Sequence, residues 1–151
     1  MLDAATLYHD LILDHGRRPR GFRFPEHANC QADGHNPLCG DRLTVKVREE
    51  DDVVVEVGFQ GSGCAISTAA ASIMTEAVAG KSRAEVLALA HRFRELVTGR
   101  VDPSAAHELG KLAAFAGVSR FPMRVKCATL AWHTLVAALE GRTNATTERD
   151  E

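Results

Sequence analysis

Leu43-Thr44-Val45-Lys46-Val47-Arg48-Glu49-Glu50-Asp51-Asp52-Val53-Val54-Val55-Glu56-Val57-Gly58-Phe59 is the stretch that decides the fold. Leu43, Val45 and Val47 alternate with Thr44, Lys46 and Arg48. Val53, Val55, Val57 and Phe59 continue a period of two on the far side of the acidic tip Glu49-Glu50-Asp51-Asp52. Period-two alternation across a short polar turn describes an antiparallel hairpin with one buried face. A short strand over residues 28–34 is expected to join it, giving a small antiparallel three-stranded sheet.

Everything after Gly63 reads as helix. Ile66, Ala70, Ile73 and Ala77 recur at helical spacing, and Gly80 suits the position just past a helix end. Ser82 and Glu85 form a capping box, and Val86, Ala90, Phe93 and Val97 mark one face behind it. Asp102-Pro103 reads as an N-cap followed by proline at the first helical position, ahead of Leu109, Leu112 and Phe115. A last helix runs from Met123 to about Glu140 and stops at Gly141. Before the sheet, a helix from residue 4 to about residue 14 has Asp3 as its N-cap and Leu7, Leu11 and Ile12 as its stripe. Strands followed by helices argue for an α+β domain with the helices packed on one sheet face. Residues 1–141 are read as a single domain, and the polar residues 142–151 as a disordered tail.

Composition narrows the function classes. The chain has 151 residues, 45% hydrophobic and 25% charged, with a formal net charge of -2. That balance excludes a strongly basic nucleic-acid binder and an acidic disordered chain. No apolar run has the length of a membrane span. The first residues lack the charged and apolar regions of a secretory signal, so the expected location is cytoplasmic, where thiols stay reduced. The four cysteines are therefore read as metal-binding or reactive before they are read as disulfides.

Three of them sit where a thiol stays accessible. Cys39 lies in Asn36-Pro37-Leu38-Cys39-Gly40-Asp41, Cys64 follows Gly61-Ser62-Gly63, and Cys127 follows Arg124-Val125-Lys126. Cys39 and Asp41 are two apart at the start of a strand, so both side chains reach one point. Cys64 at a helix start is favoured as thiolate by the free N–H groups there. Three thiolates and one carboxylate form a complete four-coordinate donor set for zinc. Arg124 and Lys126 offset part of the surplus negative charge. Each cysteine alone could equally be a small buried hydrophobe; the three settings together argue for a site. Cys30 has no glycine or cation beside it and is read as structural. The histidines are scattered, and none is read as a ligand.

The chain resembles the IscU-like iron–sulfur assembly proteins, and within them the SufU branch. The residues that carry the likeness are Leu7-Tyr8, Ile12-Leu13-Asp14-His15, Arg18-Pro19-Arg20, Asn36 to Asp41, Phe59 to Ser67 and Phe121 to Trp132. Two features place it with SufU. Lys126 stands where the scaffold branch has histidine before the last cysteine, and residues 99–119 look like that branch's insertion. The resemblance implies Zn²⁺ held by Cys39, Asp41, Cys64 and Cys127. It implies that Cys39 accepts sulfur as a persulfide from a SufS-type cysteine desulfurase, for delivery to a downstream iron–sulfur scaffold. It also implies a docking or supporting role for Arg124. Three alternatives stay open: an IscU-type scaffold on which an iron–sulfur cluster is built, a closed structural zinc module, and a cysteine hydrolase. The last lacks a histidine placed by sequence to act as its base.

Overall fold

The computed structural model describes residues 4–101 and 103–147. The expected caps Asp3 and Asp102 lie outside them, as does the Leu7 side chain. The elements run α1 (Ala4–Arg17), β1 (Cys30–Asn36), β2 (Asp41–Glu50), β3 (Val53–Ser62), α2 (Ala65–Val78), α3 (Arg83–Val97), a run of 3₁₀ turns (Pro103–Arg120), α4 (Pro122–Leu139) and β4 (Asn144–Thr146). Strands β1–β3 run consecutively and helices α2–α4 follow them, with α1 ahead and β4 behind, so the α+β expectation holds.

The hairpin forms as read, with one shift. Leu43, Val45 and Val47 are buried, and Asp51 and Asp52 both take positive φ, at 50° and 63°. A two-residue turn of that hand matches the twist of the flanking strands, and aspartate tolerates it better than most side chains. On β3, however, Val54 is the fully buried residue, while Val53 and Val55 are half-buried. Arg48 pairs with Glu56 but Glu49 pairs with Val54. Val55 is thus an extra residue, a bulge that moves the buried parity by one.

The sheet has four strands, in the order β3-β2-β1-β4, and not the expected three. Nor is it purely antiparallel. The segment after Gly141, expected to be a tail, supplies β4, which runs parallel to β1 through Asp33↔Asn144, Gly34↔Ala145 and His35↔Thr146. A three-residue strand is too short to show alternation. Its position follows from where α4 delivers the chain, against the open edge of β1.

The core lies between the sheet and α2, α3 and α4. Phe93 of α3 stacks on Trp132 of α4 at 5.2 Å and meets Phe115 edge-on at 5.6 Å. The 3₁₀ run therefore buries its apolar residues, Leu112 and Phe115, against α3. It is interrupted at Gly110, whose backbone is non-helical (φ 59°, ψ −132°). The Ser82 capping box at the start of α3 forms in full. Arg83 in the next position grips Glu49 through two hydrogen bonds of 2.6 and 2.8 Å, tying α3 to the hairpin.

Helix α1 extends through Gly16 to Arg17 and is pinned to α2 by a buried polar network. His15 is fully buried, with Nδ1 2.6 Å from Ser72 Oγ. Ser72 Oγ also accepts from the Arg20 backbone N–H at 2.7 Å. Nε2 of His15 faces Glu76 at 3.7 Å, beyond hydrogen-bond reach. Burial, aided by the nearby Arg20 charge, pushes the His15 pKa below its usual 6.5. The unfolded chain then binds the proton more readily than the folded one, so acid favours unfolding. The contribution is complete above the unfolded pKa and declines as pH falls below about 6.5. Urea midpoints measured from about pH 7.5 down to about pH 5.5 should fall, and the fall should be smaller in His15→Gln. An identical pH dependence in the two chains would contradict this assignment.

Candidate metal centre

Cys39, Asp41, Cys64 and Cys127 arrive from three separate elements. Asn36 ends β1 and pairs with Asp41, which opens β2. Between them Pro37-Leu38-Cys39-Gly40 makes a tight turn, closed by the Gly40 N–H on the Asn36 carbonyl at 2.8 Å. Gly40 takes φ +74°, which a residue with a Cβ rarely adopts. The turn leaves Cys39 exposed at its tip, while Asp41 is only 1% exposed.

Cys64 is the N-cap of α2. Its sulfur accepts the Ser67 N–H at 3.4 Å, where serine or aspartate would normally stand. Its own backbone N–H donates to Asp41 Oδ1 at 3.0 Å. That bond requires Gly63, because a Cβ there would come within 2.9 Å of Asp41 Oδ1. Cys127 sits in the second turn of α4, further along the helix than a start position, and is buried.

These placements bring Cys39, Asp41 and Cys127 together, with one donor atom from each within 4.8 Å of the others. The Cys127 and Cys39 sulfurs are 3.5 Å apart. Cys64 falls outside that triplet, but its thiol bears on Cys127. Burial pushes the Cys127 thiol well up, and Cys39, Cys64 and Asp41 push it further. The cause is plain: several acidic groups crowd one desolvated spot, and each ionisation opposes the next. A divalent cation would reverse that balance, since it favours the deprotonated form of every donor around it. The donor chemistry therefore fits zinc: soft thiols with one hard carboxylate, in the number a four-coordinate site takes.

Asn36 is a residue of the site that the sequence marks only as a neighbour of Cys39 and Asp41. It is fully buried, and its amide points at Asp41 Oδ2 (3.4 Å) and the Cys127 sulfur (3.7 Å). Its carbonyl oxygen accepts from the Thr147 hydroxyl at 3.1 Å. An amide aimed at two donors orients them as outer-shell partners do in metal sites. The available signal was asparagine ahead of Pro-Leu-Cys-Gly-Asp, a polar residue whose burial only the tertiary structure reveals.

Arg124 and Lys126 do not join the donor group. The Arg124 guanidinium lies over the Phe121 ring at 4.4 Å. Lys126 turns into an open groove beside α4, which also takes in Arg42 and Ser62, neighbours of Asp41 and Cys64 along the chain. Leu38, beside Cys39 in the chain, is an exposed apolar side chain, and so are Phe121 and Met123 at the start of α4, the helix that carries Cys127. Cys30 is half-buried and packs against the core.

The family model described as "NifU-like N terminal domain" matches residues 7–128. The chain is 43% identical over 145 residues to "Iron-sulfur cluster assembly scaffold protein IscU" of Streptococcus pyogenes serotype M1, covering 92% of this chain and 86% of that one. It is 39% identical over 139 residues to "Zinc-dependent sulfurtransferase SufU" of Bacillus subtilis, covering 90% and 93%. Among solved structures, one described only as a hypothetical protein superposes with a TM-score of 0.82 at 42% identity, covering 89% of this chain and 98% of that one. A candidate SUF-system assembly scaffold protein from Fervidobacterium islandicum superposes with a TM-score of 0.80 at 33% identity, covering 91% and 99%.

The exposures generate a simple chemical test. In metal-free folded protein, iodoacetamide should label Cys39 and Cys64 quickly and Cys127 only as the chain unfolds, read by peptide mass spectrometry. Equal labelling of Cys127 under native conditions would contradict its buried placement.

Proposed function

We propose that this chain, which belongs to the NifU-like N-terminal domain family of IscU- and SufU-like proteins, is a zinc-dependent sulfur acceptor in iron–sulfur cluster assembly. In this reading it takes persulfide sulfur from a SufS-type cysteine desulfurase in the cytoplasm and passes it to a downstream iron–sulfur scaffold. It acts as the desulfurase's co-substrate. The observation that carries the proposal is the asymmetry of the cluster: Asp41 and Cys127 are buried, and of the two exposed thiols Cys64 is held as the N-cap of α2 while Cys39 stands on a turn. A purely structural zinc site would be closed on all sides.

Cys39, Asp41, Cys64 and Cys127 would hold the ion. When bound, zinc supplies a positive charge that keeps the thiols deprotonated at neutral pH, where an ordinary cysteine with pKa about 8.5 is mostly protonated. The roles of the residues divide by mobility. Asp41 is fixed by the Cys64 and Asn36 amides, and Cys127 by burial in α4. Cys39 is carried on the Pro37–Gly40 turn and is the donor that can meet a partner's sulfur. In the transfer step, the Cys39 thiolate attacks the outer sulfur of the partner persulfide. The partner's S–S bond breaks, its inner sulfur leaves as thiolate, and a new S–S bond forms on Cys39. The outer sulfur brings its proton with it, and no net oxidation occurs. Leu38 beside Cys39, and Phe121 and Met123 at the start of the helix that carries Cys127, are exposed apolar side chains that a partner could cover, and the Arg124 cation lies over the Phe121 ring.

The scaffold reading has its own support. Cys39 and Cys64 are both exposed beside two buried donors, an open side on which a nascent cluster could be the cargo. The relative from Streptococcus pyogenes carries that name. Lys126 ahead of Cys127, in place of histidine, favours the acceptor reading.

Two outcomes check the proposal. Incubated with a cognate desulfurase and cysteine, the wild-type chain should gain the mass of added sulfur on the peptide containing Cys39, and Cys39→Ser should gain none. Persulfide found equally on Cys64 would contradict the assignment. Under chelator challenge, Asp41→Ala should lose zinc about tenfold or more faster than wild type, in the range that ligand-supporting groups command. Unchanged zinc retention would remove Asp41 from the ligand set.

A further inference from the structure

α4 and β4 belong to one piece of chain, and that piece closes a ring at the metal centre. α4 carries Cys127 and ends at Leu139. Gly141 turns the chain with φ +78°, and the Arg142 N–H bonds back to the Ala137 carbonyl at 2.8 Å. The chain then lies along β1. The Thr143 carbonyl accepts from the Asp33 N–H at 2.9 Å, and β4 follows β1 in parallel through Gly34↔Ala145 and His35↔Thr146. One step further in that register, Thr147 stands level with Asn36, the last residue of β1. The Thr147 N–H reaches the His35 carbonyl at 3.4 Å, and the Thr147 hydroxyl donates to Asn36 Oδ1 at 3.1 Å. Asn36 in turn faces Cys127, where the ring began.

The chemistry of the Asn36 amide gives the hydroxyl its importance. Asn36 has no exposed surface. The ionised carboxylate of Asp41 can only accept, so the amide must turn its NH₂ group toward it. It does so, at 3.4 Å from Asp41 Oδ2 and 3.7 Å from the Cys127 sulfur. The amide oxygen then points away from the donors and needs a hydrogen-bond donor of its own. Thr147 supplies it, through the shortest of these three contacts. A buried acceptor left without a partner is costly. Without the hydroxyl, rotation of the amide or entry of water is favoured, and either change loosens its hold on Asp41 and Cys127.

We propose that Thr147 is a positioning residue for the metal centre: its hydroxyl fixes the Asn36 amide, and through it the Asp41 carboxylate and the Cys127 thiol, so that the seating of β4 sets how firmly the ion is held. The proposal rests on the candidate donor set and not on the sulfur-transfer reading. β4 is a three-residue strand at the edge of the sheet, and such an edge opens at lower cost than the core. Its opening would loosen Asp41 and Cys127 together and leave Cys39 on its own turn.

The test is transfer of zinc from the loaded full-length chain to an excess of a chromophoric chelator, followed by absorbance. Thr147→Val keeps the shape of the side chain and removes the hydroxyl. It should release zinc about fivefold faster or more, the lower end of what an orphaned buried acceptor costs. Thr147→Ser restores the hydroxyl and should release at the wild-type rate. Asn144→Ala alters a β4 side chain that bonds to the neighbouring Thr143, and it should also match wild type. In a chain already carrying Asn36→Ala, Thr147→Val should add nothing further, because the two residues act as one unit. Wild-type release from Thr147→Val would overturn this proposal alone and leave the donor set standing. So would equally fast release from Thr147→Ser or Asn144→Ala, since the strand and not the hydroxyl would then be responsible, and so would additive effects in the double variant. A wild-type chain that takes up no zinc would overturn the donor set and this proposal together.

Discussion

The site rests on one hydrogen bond, from the Cys64 backbone N–H to Asp41 Oδ1 at 3.0 Å. It joins the first residue of β2 to the cap of α2, and so fixes two of the four candidate donors relative to each other. A carboxylate with 1% exposure is tolerated only when its oxygens find donors. The Cys64 amide and the Asn36 amide provide them. The sequence consequences are local and strict. Gly63 must lack a Cβ so that the carboxylate can approach, and Gly40 must take a left-handed turn so that Cys39 can project while Asp41 turns inward. Neutral dipoles orient the carboxylate without cancelling its charge, and a cation at the thiols would complete it.

The same arrangement separates what is rigid from what can move. Cys127 is held in the buried face of α4, and Asp41 in the end of the sheet. Cys39 is on a surface turn, next to the exposed Leu38. In a site built for stability alone, burial would be expected of every donor. A site that hands one sulfur to a partner needs one donor outside, and an apolar rim for that partner to cover.

Much of this was legible in the residues. The Leu43-Val45-Val47 alternation, the Ser82 capping box and the Gly-flanked cysteines each report a local constraint, and each appears where the pattern put it. What escaped was non-local. The bulge at Val55 follows from pairing with Glu49, and nothing in a run of three valines marks which one is surplus. β4 is three residues whose partner lies more than a hundred positions earlier. Asn36 looked like a companion of Pro37, because its burial depends on α4 and Thr147 packing over it. Residues 99–119 stood out as an insertion and their apolar residues as a helix, but Pro103–Arg120 is a run of 3₁₀ turns whose Phe115 meets Phe93 edge-on, a contact that local sequence does not announce.

The central claim is that Cys39 accepts sulfur, and its most direct test is alanine release by a cognate cysteine desulfurase given cysteine and a reductant, with and without the zinc-loaded chain. The account predicts a large stimulation by the wild-type chain that disappears in Cys39→Ser. Little or no stimulation, together with an iron–sulfur absorption spectrum after anaerobic reconstitution, would contradict it and make the chain a scaffold.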